Sequence, residues 1–369
     1  MHALLIGNID KHLDDISSAL FDPFFYERTT LAQSIPLTFE HLQTFTLDDI
    51  QATLTQRRLP EVLFLRPDWR EDPSQVVDFV ATLRQQHPQL RLLFLDPWDQ
   101  TTSRYFGVLP HVDILWKCQR LKDRAAYLKT YAGGHPITDY FANTLNYELD
   151  KWNVSSVVEP GYENRIEAGW NFAISKKYRR QLLSPVNHYY SRYYNRHTKR
   201  PIDIFCHLSL GNLDDRNSWY AQHRKHCLAT LEPLQSTRRL AISGDYFGQR
   251  TVSSRQYQRD IRNSKIVVSP FGWGEATWRD YEAACHRCLL IKPSIEHIYT
   301  QPDIFSPGET YVPVRWDLAD LTDTCEYYLQ HPDEARQIAE NAHNAYRRYF
   351  AEKQFVKTIR DAVTGSLTR

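Results

Sequence analysis

Between Ser264 and Ala283 the chain reads SKIVVSPFGWGEATWRDYEA. An aliphatic run feeds a loop with glycines at 272 and 274, and an amphipathic stretch starts directly behind it. Such a loop turns backbone amides outward beside the positive end of a helix dipole, which suits an anion such as a diphosphate. Glu275 and Glu282 stand seven residues apart, close to two helical turns, so both are expected on similar faces of one helix. A carboxylate at Glu282 can accept both hydroxyls of a ribose, and Arg279, one turn earlier, offers phosphate a fork of donors. With Trp273 in the loop, the donor-binding set is Gly272, Trp273, Gly274, Glu275, Arg279 and Glu282. A plain strand-to-helix turn uses the same glycines and the same first-turn acid, so the pattern alone leaves both readings open.

Other residues stand where strands end. Asp10 and His12 follow the run Ala3–Ile6, and Asp96 and Asp99 follow Leu90–Leu95. Open α/β sheets meet their ligands at such strand ends, so these residues are candidate bases, and an imidazole titrates in the useful range. Helix capping and the turn around Pro97 account for the same acids without catalysis. Asp245, after the run Arg238–Ile242, is a candidate contact to a nucleotide base. Cys285-His286-Arg287-Cys288 has no second metal-binding half elsewhere, so core packing is the expected role and no metal site is assigned.

These groups need a scaffold. Short apolar runs (Ala3–Ile6, Glu61–Leu65, Leu90–Leu95, Val112–Trp116) alternate with helical stretches near 11–20 and 74–86. This is the pattern of buried parallel strands in βαβ units, with ligands beyond the strands' carboxyl ends. The alternation resumes after Pro201 with runs at 202–206, 238–242, 266–269 and 288–291 and helices at about 216–231, 257–263 and 276–286. Helices at 318–330 and 332–350, and one more, follow. The fold class is therefore α/β, two Rossmann-like domains facing a cleft. The divisions are 1–155, a connector at 156–200, a second domain at 201–345, and a terminal helix at 346–369 that could cross back to the first.

Within the connector, residues 176–200 carry eight Lys and Arg, no acid, and five interleaved Tyr. Arg192, Arg196 and Arg200 form a candidate patch for a polyanion or an anionic acceptor, since cations with stacking rings can follow a phosphate backbone. A solvated helix with tyrosines in the domain junction is the plainer reading. With 369 residues and a net charge of +1, the chain lacks the basic surplus usual when nucleic acid is the main partner, so nucleic acid is possible but not favoured. No apolar segment is long enough to cross a bilayer, and the amino-terminal run is too short for a signal peptide. Six scattered Cys read as reduced thiols of a cytoplasmic protein.

The stretch SPFGWGE, then YEA, then CLLIKPS resembles the carboxy-terminal domain of GT-B glycosyltransferases, in their group-1, CgeB-like and exostosin-like branches. The family separates its paired Glu residues by eight positions rather than seven, which leaves Glu282 as the safer carry-over. The resemblance implies a glycosyltransferase that takes a nucleoside-diphosphate sugar as co-substrate, with no further cofactor and no metal. It also implies that His12 stands where some inverting members keep a catalytic His, and that Arg224 stands where basic contacts to donor phosphates are common. The acceptor is open: glycan, lipid, protein or modified nucleic acid. A non-catalytic nucleotide- or glycan-binding protein of the same fold is the alternative, with a nucleic-acid-directed role of the connector as the third.

Overall fold

The structure is a computed structural model that describes residues 2–7, 15–35, 38–42, 46–149, 152–169, 171–187, 189, 193, 200–215, 218–249 and 251–365. The first domain opens with β1 (His2–Ile6), α1 (Asp15–Tyr26), α2 (Arg28–Ser34), β2 (Thr38–Leu42) and α3 (Leu47–Thr55). It continues with β3 (Val62–Leu65), α4 (Pro73–Gln86), β4 (Arg91–Leu95), β5 (Ile114–Lys117), β6 (Gln119–Leu121), α5 (Pro136–Leu145) and β7 (Ile166–Ala168). Six strands form one parallel sheet in the order β2-β1-β3-β4-β5-β7. All four residues of β3 are buried, as an aliphatic strand covered on both faces must be. Local chemistry sets the helix ends. Asp72 caps α4 by accepting from the Ser74 and Gln75 amides, with Pro73 in the first turn.

Helix α6 (Lys176–Leu183) leads to the second domain: β8 (Ile202–Gly211), α7 (Trp219–Leu231), β9 (Leu240–Tyr246), α8 (Ser254–Arg262) and β10 (Ser264–Val268). After these come α9 (Trp278–His286), β11 (Leu289–Pro293), β12 (Ile298–Thr300), β13 (Val312–Val314), α10 (Leu321–Gln330), α11 (Pro332–Ala351) and α12 (Gln354–Thr364). Its parallel sheet runs β13-β11-β10-β8-β9. The chain steps from β8 to β9 on one side and returns to β10 on the other, so the topological switch point lies at the carboxyl ends of β8 and β10. Among the described residues no helix is long and apolar enough to cross a membrane.

The connector differs from its sequence reading. β7 lies inside 156–200 yet closes the edge of the first sheet against β5. Three residues, Ile-Glu-Ala, carry too little apolar pattern to announce a strand. Arg200 is corrected outright. It is 8% exposed and donates to the carbonyls of Ser264 (2.6 Å) and His286 (2.7 Å) and to Cys288 Sγ. It ties the entry of β8 to its neighbours and belongs to no exposed patch. Arg192 and Arg196 lie outside the described residues.

The two domains are stitched together. β6 and β12 pair antiparallel, one strand from each half. α11 runs unbroken across the expected boundary at 345. It passes behind α9 and α6, where the Tyr346 hydroxyl bonds the Ala173 carbonyl and His343 the Ala284 carbonyl. α12 then lies on the first domain. Phe355 meets Phe24 edge-on at 5.1 Å, and Arg91 donates to the Ala362 carbonyl.

Candidate nucleotide-sugar site

A cavity of about 530 Å³ opens at the carboxyl ends of β8 and β9 and beside the first turns of α8 and α9. Glu282, Arg279, Asp245, His207, Tyr257 and Lys177 contribute to its wall. Three of the residues singled out in the sequence therefore share one concavity, at the place where an open α/β sheet binds its ligands.

The Glu282 carboxylate is 6% exposed and accepts from Lys177 Nζ (2.8 Å) and from the Tyr257 hydroxyl (2.8 Å). Burial, with the Glu282 charge beside it, pushes the Tyr257 phenol far up, so it stays a donor. Arg279 is 8% exposed. Its Nη2 donates to the His207 carbonyl at 2.7 Å, which pins the guanidinium to β8. Its Nε has no hydrogen-bond partner among the described residues. Asp245 accepts from the Thr251 hydroxyl (2.7 Å) and from Ser243 (3.4 Å), and Ser243 in turn contacts His207 Nδ1 at 2.9 Å.

The glycine loop serves a different purpose from the one its sequence suggests. α9 starts at Trp278 behind Thr277, whose amide donates to the Asp280 carboxylate at 2.8 Å. Glu275 precedes the helix, which corrects the expectation that it shares a helical face with Glu282. Two of the loop amides do not face outward. Gly272 N bonds the Gly274 carbonyl, and Ala276 N bonds Gln119 Oε1 of the first domain. A Cβ at Gly274 would sit 2.5 Å from the Asp99 carbonyl oxygen, so this glycine admits the first domain's backbone. Trp273 packs edge-on against Trp152 at 5.4 Å. Gly272 leaves room for Arg224, whose Nε donates to the Phe271 carbonyl at 3.0 Å and whose Nη1 bonds the Ser209 carbonyl.

Glu275 is wholly buried and its partners come from the other domain. Thr101 (2.7 Å), His135 Nε2 (2.8 Å) and Gln119 (2.6 Å) all reach its two oxygens. His135 Nδ1 accepts the Ile137 amide that starts α5, so Nε2 is the protonated nitrogen and donates. Burial alone would raise the Glu275 carboxyl, yet His135 above all, then His297 and Thr101, hold it down to about 2. This carboxylate joins the domains and presents no free oxygen to the cavity.

On the first domain, Asp96 is sealed in an ion pair with Lys117 at 2.7 Å, both side chains wholly buried. That position corrects its assignment as an accessible base. Asp99, three residues on, is half-buried, and burial raises it to about 6, with Glu275 adding and Lys117 and Arg224 opposing. Asp10 and His12 lie outside the described residues. Among those described, no group of three or more His, Cys, Asp or Glu converges as a metal cage. All six Cys are buried and free.

His207, Ser243 and Tyr257 are not singled out by the sequence, and Lys177 only as one of the connector's cations. His207 stands at the end of an apolar run, a position that the strand-end rule would have flagged. Lys177 lies 105 residues from Glu282, and nothing local marks the pair.

Two parallel-sheet domains, joined by a connector and a returning helix, with a cavity at the second domain's switch point, define the GT-B glycosyltransferase fold. Over residues 224–361 the chain matches the family described as glycosyl transferase-like. Among solved structures it is similar to the lipopolysaccharide outer core galactosyltransferase WaaB in its apo form, at 10% identity over 100% of both chains with a TM-score of 0.53. The N-terminal domain of Candida albicans trehalose-6-phosphate phosphatase matches at 10% identity over 99% of this chain and 97% of that one, TM-score 0.51. Anabaena Alr3699/HepE in complex with UDP-glucose matches at 10% identity over 99% of each, TM-score 0.48. No curated protein sequence matches the chain.

Proposed function

We propose that this protein is a glycosyltransferase that takes a sugar from a nucleoside-diphosphate donor bound in the second domain. The observation that carries this is the cavity at the switch point, in which a carboxylate at Glu282 and a guanidinium at Arg279 face the same space. Glu282 accepts the ribose hydroxyls there. Its present donors, Lys177 and Tyr257, are a cation and a hydroxyl of the sort that a sugar and its counter-charge replace. The Arg279 guanidinium in the cavity wall and the half-exposed ammonium of Lys177 supply positive charge for the diphosphate that departs. Asp99, whose backbone carbonyl lies against Gly274 where the domains meet, is a first-domain carboxyl that burial raises toward the range useful to a general base.

The complete engagement of Glu275 in domain packing favours a second reading, a nucleotide-binding protein of this fold without transfer. One experiment separates them. Calorimetric titration with UDP, GDP, ADP, CDP and dTDP, in excess EDTA, is expected to reveal one micromolar ligand. Glu282→Ala then weakens it by about tenfold or more, roughly 1.4 kcal/mol, and the matching sugar donor turns over without metal. Binding with no turnover of any donor favours the second reading. Binding that EDTA abolishes overturns metal independence, and no binding at all removes the donor site.

A further inference from the structure

We propose that the base-binding end of the cavity selects guanine, so that the donor is a guanosine-diphosphate sugar; this rests on the donor site proposed above. The cavity holds two carboxylates in different company. Glu282 already has an ammonium and a phenol on it. Asp245, at the end of β9, has hydroxyls only: Thr251 on Oδ1 and Ser243 on Oδ2. Among the described residues no Lys or Arg forms an ion pair with Asp245. An ionised carboxylate offers about four lone-pair sites, and two hydroxyl contacts leave room for two more donors.

The hydroxyls also fix where those lone pairs point. Thr251 and Ser243 grip one oxygen each, and His207 Nδ1, at 2.9 Å from Ser243, steadies the second hydroxyl. His207 is itself held by Asp260 at 3.3 Å and buried at the cavity wall. Phe247, beside Asp245, keeps 53% of its surface exposed while lining the same cavity. A large ring left open next to a carboxylate supplies a stacking face for a heterocycle whose edge meets the acid.

The bases differ in what they offer that acid. Guanine presents two adjacent donors, N1–H and the 2-amino group, which match a carboxylate's two oxygens. Uracil and thymine offer one N–H flanked by two carbonyls. Adenine and cytosine offer an amino group next to a ring nitrogen lone pair. Each of the latter four puts an acceptor against the carboxylate, and burying unpaired or opposed polar groups is what makes such a site reject the wrong ligand. Bidentate, charge-assisted pairing is left to guanine alone.

The test is titration of the wild-type protein with GDP, IDP, UDP, ADP, CDP and dTDP, repeated with Asp245→Asn. IDP keeps N1–H but lacks the 2-amino group. GDP is expected to bind at least about tenfold more tightly than IDP and every other diphosphate. Asp245→Asn, whose amide turns a donor toward one guanine donor, is expected to erase that margin while leaving the weak ligands unchanged. If UDP or ADP equals or exceeds GDP, the guanine assignment is overturned and the donor site stands. Equal weakening of all diphosphates by Asp245→Asn overturns it as well, since the acid then serves the shared ribose or phosphates. If no diphosphate binds, the donor site and this inference fall together.

Discussion

Asp99 sits in the turn after β4, close enough to feel Glu275, Lys117 and Arg224, and burial raises its carboxyl to about 6. A base works in its deprotonated form, so kcat is expected to rise with pH and level off above about 6. Asp99→Asn is expected to remove that limb and lower kcat by at least about 100-fold, with nucleotide affinity unchanged. A limb that persists in the variant places the base elsewhere. At this scale the apolar runs of β9 and β10 were enough to place Asp245, Arg279 and Glu282 near one another, and all three line one cavity. The sequence was a poor guide to Glu275, whose partners lie 140, 156 and 174 residues away. The same residue type at a loop end serves a ligand or a neighbouring domain according to what packs on it, and spacing along the chain does not carry that information.

The glycine loop and α9 act as one element, locked from below. Lys292, on β11, donates to the Asp280 carboxylate and to the Glu275 carbonyl, each at 2.6 Å, with both charged side chains wholly buried. Asp280→Ala leaves an ammonium buried without its counter-charge and is expected to cost about 3–5 kcal/mol in denaturant unfolding. The paired change Asp280→Leu with Lys292→Met is expected to recover most of that loss; failure to recover would mean that the pair sets the loop's shape rather than compensating charge. The buried strands of both sheets were visible as aliphatic runs, and so were many of the helices behind them, though not α2, α3 or α5. β2, β6, β7, β12 and β13 were not. They are edge or ribbon strands of three to five residues, held by pairing partners more than by their own composition.

Over the whole molecule, the halves are joined by the β6–β12 ribbon, by Glu275, and by the return of α12 to the first domain. Phe355 is 3% exposed and fills the face made by Phe24. Phe355→Ala is expected to cost about 3–5 kcal/mol, and hydrogen-exchange mass spectrometry is expected to show residues 19–26 and 91–95 losing protection together with 354–364. If only 354–364 opens, α12 is a loose appendage and the halves are held by the ribbon alone. Twin βαβ halves could be read from alternation along the chain. How they are fastened could not, because each fastening joins residues far apart in sequence.

The return of α12 also has a consequence for the order in which the protein is made. Phe24 leaves the ribosome early and Phe355 late. At the usual pace of synthesis the interval is on the order of tens of seconds. Until it ends, the first domain has its sheet but lacks the cover for one apolar face, and the nascent chain must keep that face from other chains. The first half of this molecule is thus the first to be built and among the last to be finished.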